Sequence, residues 1–223
     1  MIRPPRASAA FTLIEMITVI SIIAILAGLI LAVNGVAQKK SAFSRAETEI
    51  RTLSSALEAY KTDNGGYPQG GPAANTSATD MLDARKAPGD ATDTSATGKL
   101  AQSSLYLYEQ LSGDINGDGT IDSTETNKNY LPDFFRPSRL GGPKVNGKVT
   151  PVQYIMDPYG NPYGYSTAGL LVEQEYRQAL STNPSASRQV MNSKSTQGYN
   201  PTFDLWSTAG DTTGNTAKWA KNW

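Results

Sequence analysis

Residues 11–36 read FTLIEMITVISIIAILAGLILAVNGV, an apolar run with one ionisable side chain, Glu15. As a helix rising 1.5 Å per residue it reaches roughly 39 Å, enough to cross a hydrocarbon layer of about 30 Å. A soluble domain would have to surround such a helix on every side. A cleaved secretory signal would carry its small residues after a shorter apolar stretch. Here Ala7-Ser8-Ala9-Ala10 come before the run. The segment is therefore expected to stay in the mature chain as a single-pass transmembrane helix. Its flanks do not orient it, because Arg3 and Arg6 precede the span while Lys39, Lys40 and Arg45 follow it.

What the rest of the chain could do is narrowed by what it lacks. There is no His and no Cys, which removes imidazole acid–base catalysis, thiolate chemistry, disulfides and Cys-ligated metals. Carboxylates, hydroxyls, amines and oxygen-ligated metals remain. Twenty basic side chains balance twenty acidic ones, and the pI is near 6.3, which argues against a nucleic-acid binder. No nucleophile–base constellation is visible, so an enzyme is not expected.

Beyond the apolar run the helix continues. Ile50, Leu53, Leu57 and Tyr60 recur at three- and four-residue steps, forming one apolar stripe, and Asp63-Asn64-Gly65-Gly66 with Pro68 ends it. Residues 37–68 thus form the outer half of one long helix and its cap. Residues 69–100 are rich in Ala, Thr, Gly, Ser and Asp, with few large apolar side chains, and are expected to be a flexible loop. A globular head is expected over 101–223. In it a short helix runs through Leu105–Leu111 to Gly113, strands run through Val152–Met156, Tyr163–Ser166 and Phe203–Thr208, and a helix spans Leu170–Leu180. The expected class is α+β: a long N-terminal helix packed on a small antiparallel sheet.

The strongest chemical motif is Asp114-Ile115-Asn116-Gly117-Asp118-Gly119-Thr120-Ile121-Asp122-Ser123-Thr124-Glu125. It meets every defined position of the twelve-residue EF-hand template. Asp114, Asn116 and Asp118 offer side-chain oxygens from alternate positions, and Gly119 allows the turn. Thr120 offers its carbonyl, Asp122 binds directly or through water, and Glu125 closes the shell. Ile121 stands where such loops place an apolar anchor. The stretch from Asn127 to Pro132 is a poor exit helix, so an isolated Ca2+ loop is expected rather than a paired hand. Its affinity should be weak, on the order of 10⁻⁴–10⁻³ M.

A short basic leader, a small residue and then Phe11-Thr12-Leu13-Ile14-Glu15 resembles the signal of type IV pilins and pseudopilins. The resemblance implies a leader of residues 1–10, cut between Ala10 and Phe11 by a prepilin peptidase that then methylates the Phe11 amine. Ala10 stands where the family usually has Gly. It also implies the type IV pilin fold, a bacterial inner-membrane anchor and a C-terminal domain in the periplasm. Glu15 would pair with the Phe11 amine of a neighbouring subunit during assembly.

Asp157-Pro158-Tyr159-Gly160-Asn161-Pro162-Tyr163 and Phe203-Asp204-Leu205-Trp206-Ser207, with Ala209-Gly210-Asp211 and Asn222-Trp223, resemble phrases of the major pseudopilin of type II secretion systems. In that family the C-terminal phrase folds around calcium. Asp211 matches one ligand position, and Leu205 and Ser207 match the lead-in. The family's later acidic pair has no counterpart, since Thr212–Lys221 holds no carboxylate. The implied partners are copies of the chain in a helical filament, other pseudopilins, a membrane platform protein, the peptidase and lipid. A surface type IV pilin for adhesion, twitching or DNA uptake is the alternative.

Overall fold

The computed structural model describes residues 11–73, 75–125, 128–135, 138–186 and 198–223, without the side chains of 30–34. The expected leader 1–10 therefore lies outside the described residues. The chain divides into two compact units, residues 1–41 and 42–223.

α1 runs from Leu13 to Asn64, in agreement with the expected single helix. It stops because Gly65 takes φ +78 and donates its N–H to the Lys61 carbonyl at 2.8 Å, a turn open to glycine at little steric cost. In the first unit the described apolar side chains are exposed: Phe11 by 80 %, with Leu13, Ile14, Ile20 and Ile25 exposed as well. Among the described residues no helix is long and apolar enough to cross a membrane. The transmembrane expectation for 11–36 rests on the sequence, because the described side chains stop at Leu29 and resume at Gly35.

In the second unit α1 turns its stripe inward. Ala46, Ile50, Leu53 and Leu57 are buried, and they meet Leu107, Tyr108 and Leu111 of α3 (Lys99–Ser112) in one core with Ile155, Tyr163, Tyr165 and Leu205. Each fully buried aliphatic side chain of this kind contributes about 1.5–3 kcal/mol. α3 starts six residues earlier than its apolar pattern indicated and ends where expected, with Gly113 at φ 80. The helix expected at 170–180 is α4, Ala168–Thr182.

The strands are short. β5 (Gly164–Ser166), β6 (Asp204–Ser207) and β7 (Ala220–Lys221) make an antiparallel sheet in the order β5-β6-β7, with Gly164 opposite Trp206 and Ser207 opposite Ala220. β1 (Leu140–Gly141) pairs with β4 (Tyr154–Ile155), the remnant of the strand expected at 152–156. β2 (Lys144–Val145) and β3 (Lys148–Val149) form a hairpin through Asn146 at φ 52 and Gly147 at φ 83. An Asn-Gly pair flanked by alternating polar and apolar residues is the strongest short hairpin signal, so β2 and β3 were legible though not expected above.

Residues 69–100 depart from the loop that composition predicted. They hold α2 (Ala78–Met81) and two 3-10 turns, Ala84–Lys86 and Asp90–Thr92. Leu82, Ala84 and Ala91 are buried with Leu100 against Trp206 and Trp219. The indole N–H of Trp206 donates to the Ala91 carbonyl at 3.2 Å. The segment has little apolar surface of its own. Two tryptophans from the far end of the chain complete its core, and a count confined to the segment misses them.

Candidate functional site

Three constellations carry candidate chemistry. The first is the start of α1. Thr12 sits before the first helical residue, and its hydroxyl accepts the Glu15 N–H at 3.3 Å. The Glu15 carboxylate accepts the Thr12 N–H at 2.8 Å and the Thr12 hydroxyl at 2.7 Å. This reciprocal pattern is a capping box, and Thr-x-x-Glu ahead of an apolar run is its sequence signature. Thr12 was missed above although that signature was readable. Within one chain, then, the carboxylate is satisfied by its own helix start. Phe11 lies beside it, fully in the open, and Ala10 lies outside the described residues.

The second constellation is the loop 114–125. Asp114 is fully buried at the end of α3. One of its oxygens accepts the Asp118 N–H at 3.1 Å. The other accepts the Gly119 N–H at 2.7 Å and the Tyr108 hydroxyl at 2.6 Å. Asn116 accepts from Asp118 N–H, Asp118 from Thr120 N–H, and Asp122 from Thr124 N–H. Hydrogen bonds from the Thr120 and Thr124 hydroxyls and N–H groups hold Asp118 and Asp122 below the usual carboxylate range. Glu125 reaches back to the Ile115 N–H at 2.8 Å and takes the Asp122 N–H at 3.0 Å, so the twelve residues close into a ring.

That ring is tied to the sheet connection through Val152 N–H to the Gly117 carbonyl at 2.7 Å. Ile121 does not act as an anchor; it is 42 % exposed. Among the described residues no α-helix follows the loop before β1, in line with an unpaired loop. Among them, too, no three acidic side chains gather into a group able to hold a metal ion. The carboxylates are spent on the loop's own amides.

The third constellation lies at the C-terminal phrase, where Leu205, Ser207 and Asp211 each have hydrogen-bond partners of their own. The Leu205 carbonyl accepts the Asn222 N–H at 3.1 Å. The Ser207 hydroxyl donates to Asp157, whose carboxylate also accepts the Tyr159 and Asn161 N–H groups at 2.9 and 2.8 Å. Burial pushes Asp157 up against those hydrogen bonds. Burial also acts to raise Asp211. The Thr213 hydroxyl, the Asn215 N–H and the Lys218 ammonium at 3.5 Å outweigh it and hold Asp211 below its ordinary value. Asp157 and Lys218 were missed above. The Asp-Pro-x-Gly turn hinted at Asp157, and no local pattern pointed to Lys218.

Residues 5–31 match the family described as the prokaryotic N-terminal methylation motif. No curated protein and no solved structure matches the chain. The motif family is structural rather than enzymatic, and the mixed helix and antiparallel strands fit a pilin-like fold. The match, placed on a capped apolar helix that opens at Leu13, supports a type IV pilin-like protein with prepilin-type processing and membrane anchoring through its N-terminal segment.

Proposed function

We propose that the chain is a structural subunit of a type II secretion pseudopilus. Prepilin peptidase cuts between Ala10 and Phe11 and methylates Phe11. The subunit waits in the inner membrane with its head in the periplasm. It is then polymerised with copies of itself and other pseudopilins on a platform protein, so that growth pushes folded proteins outward. The observation that carries this reading over a surface pilus is the meeting of the two pseudopilin-like phrases, where the Ser207 hydroxyl of one donates to the buried Asp157 of the other. The methylation motif supports the processing and the filament.

Glu15 supplies the assembly step. A carboxylate in an apolar helix is costly and stays only with a partner. The capping box satisfies it within one chain, and the methylated Phe11 amine of the next subunit offers the opposite charge. Glu15→Ala is therefore expected to reach the membrane and to abolish filaments and secretion of folded proteins in cells. Retained secretion with lost twitching or adhesion would transfer the reading to a surface pilus. Normal filaments from Glu15→Ala would overturn the role of Glu15.

We further propose that the loop 114–125 takes Ca2+. Its donors are all oxygens, as a hard cation requires: Asp114, Asn116, Asp118, the Thr120 carbonyl, Asp122 and Glu125. The metal would supply charge neutralisation to four carboxylates now held by backbone amides and by the Tyr108, Thr120 and Thr124 hydroxyls. A second site at Leu205, Ser207 and Asp211 has weaker support, since Lys218 already places a cation beside Asp211. Calorimetry of the purified chain with CaCl2 is expected to give one weak binding event that raises the melting temperature. Asp118→Ala should remove both signals, and absence of heat and shift in the unaltered chain would refute the site.

A further inference from the structure

One face of the outer half of α1 and the end of β7 enclose a groove of about 450 Å³, lined by Glu47, Ile50, Arg51, Ser54, Lys221 and Trp223. Its chemistry is incomplete in the single chain. The Ser54 hydroxyl and the Trp223 indole N–H are both shielded from water and have no hydrogen-bond partner among the described residues. Neither Arg51 nor Lys221 forms an ion pair among the described residues. Lys221 instead lies over the Trp223 ring at 5.2 Å. Two cations and two neutral donors thus face one carboxylate, Glu47, above an apolar floor of Ile50 and the indole. Another groove, near Tyr67, has its charges already matched: Arg177 pairs with Glu173 at 3.0 Å, and Lys61 donates to the Tyr67 hydroxyl.

The chain also carries a surface complementary to the donor-rich groove. In the loop 114–125, Asp118, Asp122 and Glu125 lie exposed or half-buried within eight residues, and none forms an ion pair among the described residues. Between them Ile121 stands 42 % exposed, an apolar side chain framed by carboxylates. Acceptors around an apolar tip match donors around an apolar floor. A bound Ca2+ would leave the loop acidic, since four carboxylates exceed its charge.

We infer that this groove is the docking surface for the acidic loop 114–125 of a second copy of the chain. Groove and loop are different patches of one molecule, so the contact is head-to-tail and propagates instead of closing into a dimer. Arg51 and Lys221 face Asp118 and Asp122 of the next subunit, Ile121 enters above Ile50 and Trp223, and the loop's oxygens accept from Ser54 and the indole. The inference rests on the filament reading above and adds to it the surface by which heads join.

The chain holds no native Cys, so an engineered pair reports only on itself. The experiment uses the full chain in cells that assemble it, with Ser54→Cys and Ile121→Cys in one molecule, oxidised and run without reductant. A ladder of covalent oligomers is expected, absent from either single variant and lost when Glu15→Ala is added. Arg51→Glu with Lys221→Glu should cut filament yield at least tenfold. Ile121→Lys in the same chain, at the exposed tip of the loop, should restore part of it by facing the two introduced carboxylates, while a thermal melt checks that each variant folds. Filaments that form without the ladder, or charge reversal that leaves the yield unchanged, would overturn the docking surface and leave the filament reading standing. Absence of filaments from the unaltered chain would overturn the filament reading and this surface with it.

Discussion

The link between α1 and the head includes a buried charge, and its removal has a size that can be worked out. Glu49 on α1 and Arg139 pair at 3.0 Å with side chains only 7 % and 13 % exposed. The hydroxyl of the fully buried Tyr163 donates to the same carboxylate at 2.7 Å. Burial pushes Glu49 up, against the pull of the Tyr163 hydroxyl and the Arg45 charge, so the pair is costly to hold. Breaking it costs more. Glu49→Ala leaves the Arg139 guanidinium without its counter-charge and the Tyr163 hydroxyl buried without an acceptor, which should destabilise by about 3–5 kcal/mol.

For a protein of this size that lowers the melting midpoint by roughly 6–20 °C. Tyr163→Phe removes one hydrogen bond to a charged group and should cost about 1.5–3 kcal/mol. The combination Glu49→Leu, Arg139→Met and Tyr163→Phe leaves nothing unpaired and should return to within about 1 kcal/mol of the parent. Thermal and urea unfolding of the purified chain, followed by circular dichroism, measures all three. A Glu49→Ala chain within about 1 kcal/mol of the parent, or a triple variant weaker than Glu49→Ala, would refute the reasoning.

Two further outcomes follow from the packing. Burial, with the Asp114 charge behind it, pushes Glu109 up to about 7. A carboxyl raised on folding favours the protonated native state, so its contribution is complete below about pH 4.5 and is lost as pH rises through 7. After allowance for its partial contact with solvent the loss is about 1–2 kcal/mol. Urea unfolding between pH 4.5 and 8 should show it, and Glu109→Gln should flatten that part of the profile. At Gly164, a Cβ would stand 2.1 Å from the buried Trp206 ring, so Gly164→Ala should cost about 1–3 kcal/mol or more through overpacking and lower the melting temperature.

Much of this protein was open to reading before any coordinates. The apolar run with one carboxylate, the Ile50–Leu53–Leu57 stripe, the glycine stop after Asn64 and the twelve-residue spacing of 114–125 are local patterns, and local patterns set helix, cap and loop. The Thr12–Glu15 box and the Asn146-Gly147 hairpin were equally local. The order in residues 69–100 was of another kind. Leu82 and Ala91 need Trp206 and Trp219 to be buried at all, and no window of sequence holds both sides of that contact. The same holds for the site. Spacing alone selected Asp114 to Glu125 as oxygen donors. That their carboxylates turn to the loop's own amides, and that Asp211 meets Lys218, depended on where the folded backbone placed its N–H groups and a distant ammonium. Sequence by itself determined which elements form and which side chains could bear charge in them. Tertiary structure decided which of those charges meet, because desolvation and pairing act only between groups that folding has brought within reach.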